Sequence, residues 1–267
     1  MRKYLSFFRL RFSMGLQYRT AALAGVVTQF FWGFMEIMVF RAFYEAEPEK
    51  FPMAFDAMVS YVWLQQAFLA FFAVWMLNGE IYNTIMEGNI AYELCRPIKI
   101  YDMWFSKETA NRMARAVLRC FPILLVAIFL PKPFRLLPPA DFLHFGLFVL
   151  AMIMGLWVTV AFCMLIYITA FFTISPSGLC MFFTSVTELL AGAIIPLPFF
   201  PEKIRLALEL LPFASMQNVP LRIYSGSMSA PEMTRAIVIQ AFWLVALTGA
   251  GKVLCNKAEH KVTIQGG

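Results

Sequence analysis

Few residues in this chain of 267 could carry out chemistry. The sequence has only two histidines, His144 and His260, and shows no cluster with metal-ligand or catalytic-triad spacing. Residues 249–252 (Gly-Ala-Gly-Lys) resemble part of a phosphate-binding loop, but Val253 stands where such a loop needs Ser or Thr to hold magnesium. We therefore expect no catalytic residue, no metal or cofactor site and no ATP hydrolysis by this chain alone.

Two carboxylates inside apolar stretches are the better candidates for a functional site. Glu36 and Glu188 lie where a charge is costly in hydrocarbon, which marks such residues as functional by default. Each could line a cavity or a subunit interface, or could pair with a neighbouring helix for the fold only. Both readings stay open for Glu188, whereas we favour pairing for Glu36, which lies near the outer interface. The candidate partners are Gln29, Gln65 and Gln66.

The composition sets the environment of these residues. Hydrophobic residues make up 61% of the chain and charged residues 14%, with a mean hydropathy of +0.70. Soluble proteins average about 45–50% apolar and about 25% charged residues. The chain is therefore expected to be an integral membrane protein, and its net charge of +6 indicates topology and not nucleic-acid binding.

Six apolar stretches predict an all-α fold with six transmembrane helices in a single domain, residues 1–267. A span needs about 20 apolar residues. The third span is short and could begin at Ala114 if Arg119 reaches the headgroups, and the fourth is long enough to require tilting or projection into water. The predicted spans are residues 21–41, 58–77, 117–130, 142–172, 178–195 and 236–254.

The distribution of Lys and Arg predicts the orientation. Most of the 22 basic residues fall in the segments that share a side with the N-terminus. The positive-inside rule then places both termini in the cytoplasm. The first apolar stretch has full span length and no small-residue cleavage site, so we expect no cleaved signal peptide. Cys95 and Cys255 would lie on the reducing side, and we expect free thiols.

Three segments outside the spans carry local signals. Residues 1–20 alternate basic and aromatic positions and predict either an interfacial helix or a plain basic tail. In the outer region, residues 196–234, the stretch 196–230 holds five prolines and an amphipathic helix over 201–211, which favours a re-entrant structure. Residues 78–116 form an inner loop, in which Gly88 breaks a helix and Asn89 is a good N-cap for a short helix ended by Arg96-Pro97.

The inner loop has two interpretations. Its short helix offers Ile90 and Leu94 as an apolar pair beside Tyr92, as a helix docking into a groove requires. It could equally be an ordinary connection packed on this protein's own helix ends. A second helix over 101–119 carries a basic stripe at i, i+3 and i+7, with Glu108 as an i, i+4 partner of its first member. The stripe is Arg112, Arg115 and Arg119.

Residues 87–98 (Glu-Gly-Asn-Ile-Ala-Tyr-Glu-Leu-Cys-Arg-Pro-Ile) resemble the signature of six-span permease subunits of type-2 ABC exporters, a glycine, a polar residue and Ile followed by Leu-x-Arg-Pro. The basic N-terminal segment and residues 211–226 are similar to the same family, so the resemblance covers essentially the whole chain. Cys95 departs from the pattern, because a second leucine is commoner there.

The resemblance implies a cytoplasmic N-terminal helix, a coupling helix between spans two and three, and outer re-entrant helices between spans five and six. It also implies a bacterial plasma-membrane transporter with two permease subunits, identical or related, and two separate ABC ATPase subunits that bind ATP and magnesium. The residues implied in the ATPase contact are Gly88, Asn89, Ile90, Tyr92, Leu94, Arg96 and Pro97.

On this basis we expect a permease that couples ATP hydrolysis by its partners to export of an amphipathic or hydrophobic substrate. The scarcity of charge in most spans favours such a substrate over a small ion, and the basic stripe would brace the coupling helix. A permease dedicated to a peptide or polysaccharide is the alternative, and a non-transporting membrane sensor or assembly protein is a further one. A membrane-embedded enzyme would need reactive groups that the sequence lacks.

Overall fold

The structure is a computed structural model that describes residues 2–173 and 176–260. Within these ranges every regular element is helical. Two short 3-10 turns, Pro48–Lys50 and Leu197–Phe199, join the α-helices. The α-helices are α1 Arg2–Gly15, α2 Arg19–Ala46, α3 Phe55–Ala67, α4 Leu69–Phe72, α5 Gly79–Met86, α6 Ile90–Leu94, α7 Ile100–Phe129, α8 Phe142–Thr169, α9 Pro176–Leu190, α10 Glu202–Glu209, α11 Asn218–Tyr224 and α12 Ala230–Glu259.

Three of these helices, α2, α8 and α12, are long and apolar enough to cross a membrane. They coincide with the predicted spans one, four and six. Of the most apolar window of α8, 67% is buried inside the protein, against 28% for α2 and 17% for α12. Helix α8 is therefore the central element, and α2 and α12 present most of their surface outward.

The third predicted span is part of a longer helix. The sequence predicted one helix over 101–119 and a separate span from residue 117, whereas α7 runs without a break from Ile100 to Phe129. No glycine or proline interrupts residues 100–121, so nothing ends the helix where the polar part meets the apolar part. At about 1.5 Å per residue, α7 is about 45 Å long and joins the inner loop directly to the apolar layer.

The second and fifth predicted spans also differ from straight transmembrane helices. The second is interrupted at Phe68, between α3 and α4, and after α4 the chain leaves the helix in a turn at residues 73–76. Helix α9 has 15 residues, about 22 Å, which is shorter than a hydrocarbon core of about 30 Å. It ends before Gly192, whose φ of 78° turns the chain back. The six-span arrangement therefore remains a prediction for these segments.

The outer region packs onto the central helix. Helix α10 lies within the predicted 201–211 helix and precedes α11. The buried Gln240 of α12 donates to the carbonyls of Ala151 and Ser215 at 2.9 and 2.8 Å, and so joins α8, α12 and the turn before α11. A Cβ on Gly155 of α8 would lie 2.3 Å from the Met216 carbonyl, so only glycine allows this close approach.

The N-terminal segment forms helix α1 and lies along α7. Gly15 faces Ala114 so closely that a Cβ on Gly15 would lie 2.6 Å from the Ala114 Cβ. The hydroxyl of Ser106 donates to the carbonyl of Tyr4 at 3.3 Å. Of the two readings of residues 1–20, the structure shows a helix over residues 2–15, docked on the polar half of α7.

Candidate functional site

The short helix α6 stands at the surface of the inner loop. Gly88 precedes it with a φ of 74°, a conformation that glycine adopts without strain. Asn89 does not cap the helix as predicted: its side chain makes no capping bond and donates instead to the Glu87 carboxylate at 3.0 Å. The turn into α6 is therefore set by the glycine and not by an N-cap.

The orientation of α6 differs from the expected one. Ile90 is buried, with 3% of its surface exposed, and Leu94 packs against the same core, so this apolar pair faces the protein itself. Tyr92 is 75% exposed. Ile90 therefore anchors α6 and does not offer a free contact. The outward residues, here called the α6 surface, are Gly88, Asn89, Tyr92, Arg96 and Pro97.

A triad of charges holds α5, the helix that precedes α6, against α1 and α7. Glu80 of α5 accepts two hydrogen bonds of 2.9 Å from Arg11 of α1, and Lys107 of α7 lies 2.7 Å from the same carboxylate. Three helices therefore meet at one carboxylate. Glu93 of α6 also accepts a hydrogen bond from the Trp104 indole of α7. The sequence reasoning missed this triad, because its members are far apart in the chain.

The charges of the triad shift the pKa values of its members. Burial raises the pKa of Glu80, but the hydrogen bonds from Arg11 and Lys107 lower it further, so it lies below the ordinary 4.5. Burial lowers the pKa of Lys107, and the Glu80 contact only partly opposes this. The two directions are consistent, because the Glu80 side chain is 53% exposed and that of Lys107 only 2%. Glu80 is the partner that keeps a buried ammonium tolerable.

The three arginines of the predicted stripe point to different surroundings. Arg112 is buried and paired with Glu108 at 2.7 Å, which confirms the predicted i, i+4 contact. Arg115 is exposed. Arg119 lies against Gly25 of α2, where a Cβ would be 2.8 Å from its guanidinium carbon. The arginines therefore do not form one basic face that braces α6.

Arg112 instead satisfies the backbone at the break in the second span. Its Nη1 donates to the carbonyls of Ala70, Phe71 and Ala73 at 3.0–3.3 Å. These carbonyls lie where α4 ends, within the predicted second span. Backbone that leaves the helix inside an apolar region needs hydrogen-bond partners from the protein. Arg112 thus fixes the interrupted segment to α7.

A cavity of about 1400 Å³ opens beside α2 and contains both predicted carboxylates. Glu36 comes from α2 and Glu188 from α9, so the structure brings together two residues that are 152 positions apart (188 − 36) in the chain. Most of the wall is apolar and aromatic. Two charged residues, Glu47 and Lys50, lie at the rim of the cavity. The other polar residues of the wall, apart from the two carboxylates, are Thr28, Gln29, Gln65, Gln66 and Arg119.

Glu36 makes the pairing that the sequence suggested. The side-chain amides of Gln65 and Gln66 donate to its carboxylate at 3.3–3.4 Å. The amide of Gln65 also donates to the carbonyl of Ala193 at 2.9 Å, and its oxygen accepts from Gln217 at 3.1 Å. Glu36 is therefore both paired with glutamines and part of the cavity wall. Through Gln65 it is connected to Ala193 and to Gln217, in the turn before α11.

Comparison with known proteins identifies the family to which the chain belongs. The family described as ABC-2 family transporter protein matches residues 30–266, which is most of the chain. The chain belongs to this ABC-2 transporter family. The match confirms the resemblance seen at residues 87–98. A search of curated proteins finds no significant match.

Membership of the ABC-2 family indicates which kinds of partner the α6 surface and the cavity beside α2 could bind. An ABC-2 protein is a permease of an ABC transporter that lies in the lipid bilayer; it is not itself the ATPase and pairs with an ABC ATPase. The exposed α6 surface is available for such a partner. The cavity beside α2 is available for a transported molecule.

Proposed function

We propose that this ABC-2 protein is the permease subunit that couples ATP hydrolysis by separate ATPase subunits to export of an amphipathic or hydrophobic substrate. The observation that carries the proposal is the α6 surface. It combines the exposed Tyr92 of α6 with the exposed Arg96, two residues after the helix ends, while the opposite face of α6 packs on the protein. Because the apolar pair Ile90 and Leu94 faces the protein itself, the proposed contact is made by the outward Tyr92 and Arg96, residue types that are enriched at binding interfaces.

Contacts on the inward side of α6 connect it to α7. A displacement of α6 would be transmitted to α7 directly, through the Glu93–Trp104 hydrogen bond, and also by way of α5, through the triad at Glu80. Helix α7 is continuous, so the motion passes along its length to Arg112 and the break in the second span. We propose that this connection converts closure of the ATPases into opening or closing of the cavity.

The composition of the cavity supports the substrate class. Its wall includes Trp32, Phe43 and Trp75, whose side chains are at least half exposed, together with a few polar groups. A wall of this kind suits a molecule with an apolar body and a polar end. The cavity is open at the outward face of α2, and we propose that a second permease subunit, identical or related, covers that side.

The ends of the chain support cytoplasmic termini. A smaller cavity of about 480 Å³ is lined jointly by Tyr4 of α1, Leu94 of α6 and Glu259 of α12. Both terminal helices therefore reach the side on which α6 lies. If α6 contacts an ATPase, this side is the cytoplasm, and we propose a bacterial plasma membrane as the location.

The proposal is tested by the double variant Tyr92→Ala, Arg96→Glu. We expect it to abolish co-purification of the ATPase while the amount of permease in the membrane stays unchanged. The matched control is Arg135→Glu with Phe142→Ala, an exposed arginine and aromatic away from α6. Retained ATPase in the first variant, or equal loss in both, would overturn the docking proposal.

A further inference from the structure

We propose that Glu36 binds the positively charged group of an amphipathic substrate in the cavity beside α2. This inference rests on the proposed function, because it names the class of molecule that the permease exports. The proposed function requires only an apolar cavity, whereas this inference gives one end of the substrate a positive charge and positions that end at Glu36.

The surroundings of Glu36 lack a cation. In the described residues, 2–173 and 176–260, no Lys, Arg or His nitrogen lies within 4.0 Å of its carboxylate, whose hydrogen bonds all come from glutamine amides. Two amides hold the carboxyl group in position but supply no positive charge. A carboxylate fixed at a cavity wall without a counterion is suited to a ligand that brings one.

A second polar group lies unused on the same wall. Gln29 is 4% exposed and lines the cavity, yet neither its amide nitrogen nor its oxygen has a hydrogen-bond partner within the part of the chain described. A buried polar group without a hydrogen-bond partner is unfavourable, because it has lost its contacts with water. Its position two turns before Glu36 places it on the same face of α2. We assign Gln29 to a polar group of the substrate near the cation.

The aromatic residues of α2 complete the site. Trp32, Phe40 and Phe43 follow Gln29 at i+3, i+11 and i+14 and line the cavity with Glu36, at i+7. Aromatic faces attract cations, so rings on the same helix face add to the carboxylate. They also accept the apolar body of the molecule. The face of α2 therefore offers charge and apolar surface within four turns.

The basic groups of the cavity lie elsewhere. Lys50 at the rim is paired with Glu47 at 2.8 Å. Arg119 lies against Gly25, which is eleven residues, or about 16 Å along α2, before Glu36. Glu188 adds a second carboxyl whose side chain makes no hydrogen bond or ion pair among the described residues. The cavity wall therefore carries two carboxyls without an ion-pair partner in the described part of the chain, and its arginine lies toward the Gly25 end of α2, so the part of the wall around Glu36 suits a cation.

The test measures binding of two probes of equal shape and opposite charge to the full chain in lipid nanodiscs. We expect protein-dependent binding of tetraphenylphosphonium above the empty-disc background and none of tetraphenylborate. Glu36→Gln should weaken phosphonium binding about tenfold or more, and Glu36→Asp should restore part of it. The control Glu45→Gln removes an exposed carboxylate paired with Arg41 and should leave binding unchanged.

Equal binding of both probes by the unaltered protein would overturn the proposal even if Glu36→Gln does not fold. Phosphonium binding that is unchanged in a folded Glu36→Gln variant would also overturn it. The assay contains no ATPase, so its failure is distinct from failure of the proposed function. If the ATPase co-purifies but the phosphonium result is negative, only the cation site is refuted.

Discussion

Arg112 shows how one side chain repairs an interruption in the fold. Its charge is balanced by Glu108, and its Nη1 reaches three carbonyls at the end of α4. The i, i+4 spacing predicted the ion pair. It could not predict the carbonyl contacts, because the break at Phe68 leaves no proline or glycine in the sequence to mark it.

Removing Arg112 should be strongly destabilising. Arg112→Ala leaves Glu108 buried without its partner and frees three carbonyls, and breaking a buried pair costs about 3–5 kcal/mol. Arg115→Ala, three residues on and exposed, should change the free energy of unfolding by less than about 0.5 kcal/mol. Chemical unfolding of the two variants in mild detergent checks this difference. Similar stability of the two variants would contradict the assigned role.

Glu80 gives a prediction about pH. Its pKa in the folded protein lies below the ordinary 4.5, so it stabilises the fold fully above about pH 4.5 and loses this effect as the pH falls through the lowered value. We expect Glu80→Gln to lower the melting temperature at pH 7 and to approach the unaltered protein in acid. Lys3→Gln on α1, an exposed position, is the control. A difference that is constant with pH would exclude an ionic contribution from Glu80.

At the scale of helices, two glycines of α8 are expected to differ sharply. Gly155→Ala places a methyl group 2.3 Å from the Met216 carbonyl, which forces α8 and the outer turn apart and should cost about 1–3 kcal/mol. Gly146→Ala meets nothing within 4 Å and should be neutral or stabilising by up to about 1 kcal/mol. Thermal unfolding of both variants measures the contrast. Equal effects would mean that α8 does not approach the turn as described.

The glycine before α6 should affect coupling more than stability. Gly88 and Gly226 both have positive φ, 74° and 68°, and a methyl group added at either position would meet no atom within 4 Å. Alanine therefore strains each backbone by a similar amount, about 1–2 kcal/mol. Only Gly88→Ala should reduce stimulation of ATP hydrolysis by the permease in proteoliposomes. Equal losses in both variants would indicate general destabilisation.

Helices were predictable from the sequence where apolar length alone defines them. This holds for α2, α8 and α12, which coincide with predicted spans. The continuity of α7 agrees with the absence of glycine and proline from residues 100–121, whereas the interruption of the second span was not predictable, since Arg112 stabilises it through contacts that the sequence does not show. The inward orientation of Ile90 was likewise hidden, because a five-residue helix has no periodicity long enough to distinguish its faces.

At the scale of the whole molecule, the α6 surface and the cavity beside α2 are connected through α7. Arg119, on the same continuous helix as Lys107, lines the cavity, and Lys107 belongs to the triad that holds α5, the helix that precedes α6. The sequence identified Glu36 and Glu188 separately by their cost in a membrane. It could not place them in one cavity, because their helices are far apart in the chain and are brought together only by the intervening fold.

Purifying the full chain from its own membrane under mild detergent and weighing the intact complex tests directly whether the α6 surface binds an ATPase. We expect a mass equal to two permease subunits and two ATPase subunits, with ATP hydrolysis that co-elutes with the complex. The Tyr92→Ala, Arg96→Glu variant should yield the permease mass alone and no hydrolysis. A chain that purifies without an ATPase, or an ATPase that stays bound to the variant, would contradict coupling through the α6 surface.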